Sequence, residues 1–340
     1  MKSDKIIRSI CYFARNPNES TVTELTSIRD VLSSKGFEIQ TMRLCSDVEN
    51  LKQTTFVGGN DKILLSAGSV SYGAIESNDR EFLLRPGLSF NLDLTDASID
   101  EKHAALLFEL IRVKPEKTFD FAYVFNNPPS SPFFPSANYG KDGFSIGLQS
   151  TDLAENCTTM DEWFDKMFFV WSETYQLFMY NTDFIGIDSS IAPLFYGKSS
   201  LVNLIKRHYT SFSQSVLTDA YLKITRFIKE KNPKPVGLCG LMFPCLEDFE
   251  LADEYERGNF SVERNLFLSL HSGLGIDTYP IGIDESPEKV VNILKIVQGL
   301  SNKYSKPLSV RFASDGKAKI GERSIFKNQY LKDVVIRPLF

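Results

Sequence analysis

The chain has 340 residues, 42% of them hydrophobic and 24% charged, and a formal charge of -5. That composition belongs to a globular protein with material for a large core, long enough for two ordinary domains or one large α/β barrel. A negative balance without a basic run excludes the cationic face that nucleic-acid binding requires, and no uncharged apolar run reaches the roughly 20 residues of a membrane span.

The first residues, Met1-Lys-Ser-Asp-Lys-Ile-Ile-Arg8, place charges where a signal peptide needs an apolar stretch, so a cytosolic (cytoplasmic) protein is expected. Five cysteines, Cys11, Cys45, Cys157, Cys239 and Cys245, are scattered and form no Cys-x-x-Cys pair. They fit neither a disulfide framework nor a zinc site, and buried free thiols are the expectation.

Ile6 to Phe13 reads as a strand, followed by a polar turn and a helix from about Ser20 to Lys35, whose apolar face is Val22, Leu25, Ile28 and Leu32 and which stops at Gly36. Phe37 to Leu44 is a second strand, and the β-α-β opening favours a parallel crossover unit. A turn at Gly58-Gly-Asn-Asp61 leads into the apolar run Ile63 to Gly68. Leu88 to Leu94 is another strand candidate, and Asp100 to Ile111 a helix on which His103 is expected to be solvated.

A strand over Phe119 to Phe125 enters Asn126 to Gly140, where four prolines in eight residues force a stiff extended loop carrying Phe133 and Phe134. The loop is either a lid over a pocket or a structural loop. Met160 to Tyr180 is a long core helix with Phe164, Met167, Phe168, Trp171, Tyr175, Phe178 and Met179 crowding one side. Strand Phe184 to Asp188 ends in a carboxylate and two hydroxyls. Helices Ser199 to Tyr209 and Ser213 to Lys231 follow, then a strand over Val236 to Phe243 that runs into Glu247 and Asp248.

The richest stretch is Ser269-Leu-His-Ser-Gly-Leu-Gly-Ile-Asp-Thr-Tyr-Pro280. Read as an apolar strand entering glycines, it brings backbone amides at Gly273 and Gly275 close to whatever His271 and Asp277 face. Ser286-Pro287 starts a helix that continues to Tyr304, and Leu308 to Phe312 is a strand with Arg311 and Ser309 on one side. The tail over 313–340 has enough apolar residues to pack on the body, so a single domain is expected. No helix shows a surplus apolar face, which leaves a homo-oligomer open.

Five segments in order, Pro132-Phe-Phe-Pro135, Phe184-Ile-Gly-Ile-Asp-Ser-Ser-Ile-Ala-Pro193, Gly240-Leu-Met-Phe-Pro-Cys-Leu-Glu-Asp248, Gly273-Leu-Gly-Ile-Asp-Thr-Tyr-Pro280 and Lys306-Pro-Leu-Ser-Val-Arg311, resemble the landmarks of an uncharacterised family, domain of unknown function 711. The resemblance runs over nearly the whole chain. It implies an α/β barrel of about ten strands, similar to the pyruvate formate-lyase-like glycyl radical enzymes, with two parallel half-sheets set antiparallel and helices outside. Glycyl radical chemistry is not implied. The nearest glycine, Gly321, sits in Lys319-Ile-Gly-Glu-Arg323 rather than the required Arg-Val-x-Gly context, and Cys239 and Cys245 are not adjacent.

In a barrel, residues that follow the strands converge. Asp188, Asp248 and Asp277 are then candidate ligands for Mg²⁺ or Mn²⁺, with His271 or Glu247 as acid/base, Arg311 on a substrate carboxylate or phosphate, and Gly273, Gly275, Phe133 and Phe134 around the ligand. That set suits metal-assisted hydrolysis or lysis of a small polar metabolite. The alternatives are a non-catalytic small-molecule-binding or regulatory protein, or plain structure: Asp277 holding a turn, Arg311 its buried ion-pair partner, His271 a core histidine.

Overall fold

The computed structural model describes residues 4–54, 63–76 and 79–340. The turn expected at Gly58 to Asp61 lies outside the described residues. The fold is mixed α/β, with ten strands among the described residues that hydrogen bonds between them do not close into a barrel. They are β1 Ile6–Phe13, β2 Glu38–Ile39, β3 Met42–Cys45, β4 Ile63–Val70, β5 Leu88–Asp93, β6 Phe121–Phe125, β7 Gly143–Leu148, β8 Phe184–Asp188, β9 Gly275–Pro280 and β10 Leu308–Ala313. Contacts divide the chain into two compact units, each assembled from three stretches. The first is Met1–Leu92, Asn127–Ile191 and Thr225–Gly240; the second is Asp93–Asn126, Ala192–Ile224 and Leu241–Phe340.

In the first unit the strand order is β8-β7-β1-β3-β4-β5, with β2 also on β1. β1, β3, β4 and β5 are parallel, β7 is antiparallel to β1, and β8 is parallel to β7. The helix Glu19–Ser34 buries Leu25, Ile28 and Leu32, and its Asn18 cap and Thr21 form a reciprocal capping box. The helix Met160–Phe178 buries Trp163, Met167, Val170, Trp171 and Phe178. Each such side chain contributes about 1.5–3 kcal/mol by leaving water. Phe168 and Phe169 lie on its exposed side, so the crowded face expected there is split, and the helix does carry a surplus of apolar surface.

One face of this sheet receives the proline-rich loop. Ser9 Oγ and Arg43 Nη1 both donate to the Pro132 carbonyl, at 2.8 and 3.2 Å, and Asn91 Nδ2 donates to Pro135 O and Ala137 O. Prolines offer no N–H, so their carbonyls carry the loop's bonding. Phe133 packs on Gly147, where a Cβ would fall 2.6 Å from the ring.

In the second unit β10 lies between β6, antiparallel, and β9, parallel. The register slips between Val310 and Phe312, where Asp277 and Thr278 stand opposite the single residue Arg311. This β-bulge puts Thr278 at φ +37°, an uncommon conformation for a β-branched residue. Gly275, at φ +101°, is required: a Cβ there would meet the Ser309 carbonyl oxygen at 2.1 Å. Tyr279 packs edge-on to Tyr255 at 5.4 Å and tilted to Phe260 at 6.2 Å.

Four local expectations are corrected. Ser269 to His271, the start of the stretch read as a strand, belongs to the helix Val262–His271. Val236 to Phe243 is no strand either; Gly237 and Cys239 take positive φ there. The expected helix Ser213 to Lys231 is two, Phe212–Ser215 and Ala220–Lys231. His103 is buried rather than solvated, and its Nδ1 accepts from the Asp100 backbone N–H in a capping box at the start of the helix Glu101–Val113.

Candidate functional site

Within the second unit the fold brings together three of the sequence candidates. Arg311 on β10 donates through Nε to Asp277 Oδ1 at 2.6 Å, through Nη2 to Glu247 Oε1 at 2.5 Å, and through Nη1 to the Phe119 carbonyl at 3.2 Å. Its guanidinium also lies 5.2 Å from the centroid of the Phe119 ring. The β9 bulge sets Asp277 opposite Arg311, and a helix cap sets Glu247: Asp248 starts the helix Phe249–Glu256, so Glu247 immediately precedes it. Two carboxylates on one buried guanidinium raise the arginine's proton affinity above its ordinary value, against the opposing effect of burial. The Asp277 side chain keeps 15% of its surface exposed.

A second ion pair lies alongside. The fully buried Lys117 ammonium is 3.2 Å from Asp120 Oδ2. Burial lowers the affinity of Lys117 for its proton and raises that of Asp120. Sequence reasoning missed both, because Lys117 and Asp120 sit in a short polar turn that carries no motif.

The remaining candidates have other surroundings. Asp188, in the first unit, accepts five hydrogen bonds: from Ser131 Oγ at 2.7 Å, Ser190 Oγ at 2.6 Å, and the backbone N–H groups of Ser190, Leu238 and Cys239. Asp248 is buried and caps two helices at once. Its Oδ1 accepts from Ser200 Oγ at 2.6 Å and from the Glu250 and Leu251 N–H groups; its Oδ2 accepts from Leu201 N at 3.0 Å and Val202 N at 3.4 Å. Burial pushes its carboxyl up to about 6, with the donors opposing.

His271 ends its helix with Nδ1 2.8 Å from Ser272 Oγ and its ring edge-on to Phe267 at 5.5 Å. Burial, helped by Lys306, lowers its pKa. Gly273 lets the backbone pass the end of that helix, since a Cβ would lie 3.1 Å from Ser269 Oγ. Phe134 lies beneath the Arg43 guanidinium at 4.8 Å and against the Cys11, Phe13, Cys45 and Ala137 cluster.

Beside the Arg311 cluster the second unit contains a cleft of about 960 Å³. Thr118, Phe119, Ser314, Phe326, Lys327 and Tyr330 are among the residues that line it. Phe119 is shared: its carbonyl and ring engage Arg311, and its side chain lines the cleft. The wall over Ile325 to Leu331 is fixed by Asp315, whose Oδ2 accepts from the Ile325 N–H at 2.7 Å, and by Tyr330 stacked on Phe195 at 5.8 Å. Other hollows, about 530 Å³ beside Phe108 and Ile283 and about 320 Å³ beside Asp47 and Ser69, are smaller.

These features define a mixed α/β protein in which a buried guanidinium joins two carboxylates next to a cleft of ligand-binding size. Among the described residues no helix is long and apolar enough to cross a membrane. The chain belongs to the family described as Uncharacterised ACR (DUF711), whose model matches residues 102–327. That match includes Glu247, Asp277, Arg311 and most of the cleft. No curated protein matches the chain.

Proposed function

We propose that this is a cytosolic small-molecule-binding protein and that its ligand sits in the cleft of the second unit. The observation that carries the reading is the shared residue Phe119, which lines the cleft and is held by a buried, multiply bonded arginine. Such support holds a binding surface in one geometry before the ligand arrives. Five buried free thiols accord with a reducing compartment. The relation to the pyruvate formate-lyase-like barrel is part of this proposal. It is supported in the first unit by a parallel set, β1-β3-β4-β5, meeting a second parallel pair, β7-β8, of opposite direction.

The oxygen chemistry favours binding over metal-assisted hydrolysis or lysis. A divalent cation wants carboxylate oxygens, and those of Asp188 and Asp248 accept five N–H or O–H donors each, while Asp277 Oδ1 and Glu247 Oε1 accept from Arg311. A catalytic second reading rests on Asp277 alone: one oxygen is fixed by Arg311, and the partly exposed side chain stands at a bulge.

The test is a thermal-shift screen of the full chain against a panel of small acids, phosphates, amino acids and sugars, repeated on Gln329→Trp, which fills the rim of the cleft. A ligand at about a hundred times its dissociation constant adds about 2.7 kcal/mol, a rise of a few degrees. The reading expects hits that Gln329→Trp abolishes. Hits that persist unchanged in the variant place the site elsewhere and overturn it.

A further inference from the structure

Resting on that reading, the lining of the cleft specifies a class of ligand. Its carboxylates are largely engaged: Asp315 accepts from the N–H groups of Lys317, Ala318 and Ile325, which hold its pKa down against burial, and Glu322 accepts from the Lys319 N–H. Arg323 is bonded to Glu256 and to the Asp333 carbonyl. Lys317 and Lys327 are different. Both line the cleft from the tail of the chain, both are exposed, and Lys327 is held at φ +51°, a conformation uncommon outside glycine.

Phe119, Phe326 and Tyr330 supply half-buried apolar surface to the same space. Phe119 is fixed by Arg311 and Tyr330 by Phe195, so both rings are in place before anything binds. Glu116, Asp315 and Glu322 are the acidic side chains that stand against an anion here, the last two turned to backbone N–H groups. Two exposed lysines and three rings lining one cleft are suited to a molecule with an anionic end and a flat apolar body.

We propose that the cleft binds a small aromatic anion, a carboxylate or phosphate ester, with its charge on Lys317 and Lys327 and its ring on Phe119, Phe326 and Tyr330. The experiment is isothermal titration of the full chain with phenylacetate, phenyl phosphate, benzylamine and inorganic phosphate, using wild type, Lys317→Glu/Lys327→Glu and Gln329→Trp. Wild type should bind at least one aromatic anion, benzylamine and inorganic phosphate more weakly by about tenfold or more. The relative affinity of phenylacetate and phenyl phosphate assigns the anion.

The double charge reversal should weaken the aromatic anion by about tenfold or more while leaving the melting temperature unchanged. If benzylamine binds as well as the anions, or the reversal leaves affinity unchanged, the charge assignment is wrong. The cleft then stands as the site only where Gln329→Trp blocks the binding that is seen. If no probe binds, or Gln329→Trp leaves binding intact, the cleft itself is not the site and both inferences fall.

Discussion

Asp248 offers the sharpest test of the structural reasoning, because its two oxygens serve two different helices. Oδ2 receives the first N–H groups of the helix Leu201–His208, and Oδ1 those of the helix Phe249–Glu256. Replacing an aspartate cap costs about 1 kcal/mol per helix. Three buried N–H groups and the part-buried one of Glu250 also lose their acceptor, and each unmatched donor costs about 1–3 kcal/mol where water does not replace it.

Asp248→Ala is therefore expected to lose about 3–5 kcal/mol. Asp248→Asn is the more discriminating change: its amide nitrogen must face one set of N–H groups, so the usual conservative swap still costs about 2–3 kcal/mol. Urea unfolding at about pH 8, where a carboxyl titrating near 6 is ionised, reads both. Asn within about 0.5 kcal/mol of wild type would mean that one oxygen suffices and the double cap is wrong.

Other consequences follow from the ion cluster and the histidine. Arg311→Met strands Asp277 and Glu247 in a buried setting and should cost about 3–5 kcal/mol, while the triple variant Arg311→Met/Asp277→Asn/Glu247→Gln should recover more than half of it. A triple variant no more stable than the single one would show that the stranded carboxylates are not the cause. Burial and Lys306 hold the His271 pKa below its usual value, so below about pH 6.5 the unfolded chain takes up a proton that the folded protein resists. Between the lowered folded pKa and about 6.5 stability should rise with pH, with no further contribution from this group on either side, and His271→Gln should have a shallower profile by urea unfolding; an unaltered slope assigns the effect elsewhere.

The strongest periodic signals in the sequence were legible. β1 falls where alternation and burial put it, at Ile6 to Phe13, and the helix beginning at Met160 ends within two residues of its expected end. Ser269 to His271 misled because so short a run has no period of its own, and the Ser261 cap that starts its helix lies eight residues earlier. Val236 to Phe243 looked like a strand, but the Leu238 and Cys239 N–H groups bond the Asp188 carboxylate instead of a ladder.

β7 was missed because glycines and a serine occupy half of Gly143 to Leu148 and dilute its apolar pattern. At the site, the pairing of Arg311 with Asp277 was readable as one alternative, since a buried arginine on a strand demands a carboxylate. The bulge that permits it was not: an extra residue in a ladder appears only once the partner strand is known. The roles of Phe119 and Lys327 had no sequence signal, as a strand-flanking ring and a tail lysine are ordinary in any globular chain.

The interleaving of the two units also sets an order of completion during synthesis. Neither unit is a continuous piece of chain, and the first lacks its final stretch until residue 240 has emerged. In the second, β10 lies between β6 and β9 yet follows both in the chain, so the β6–β10 pairing waits for a strand more than 180 residues downstream. Pairing across such distances makes loop closure expensive and folding slow. Nascent chains halted before Leu308 would leave β6 and β9 without the strand between them, a state for chaperones to shield rather than a smaller working protein.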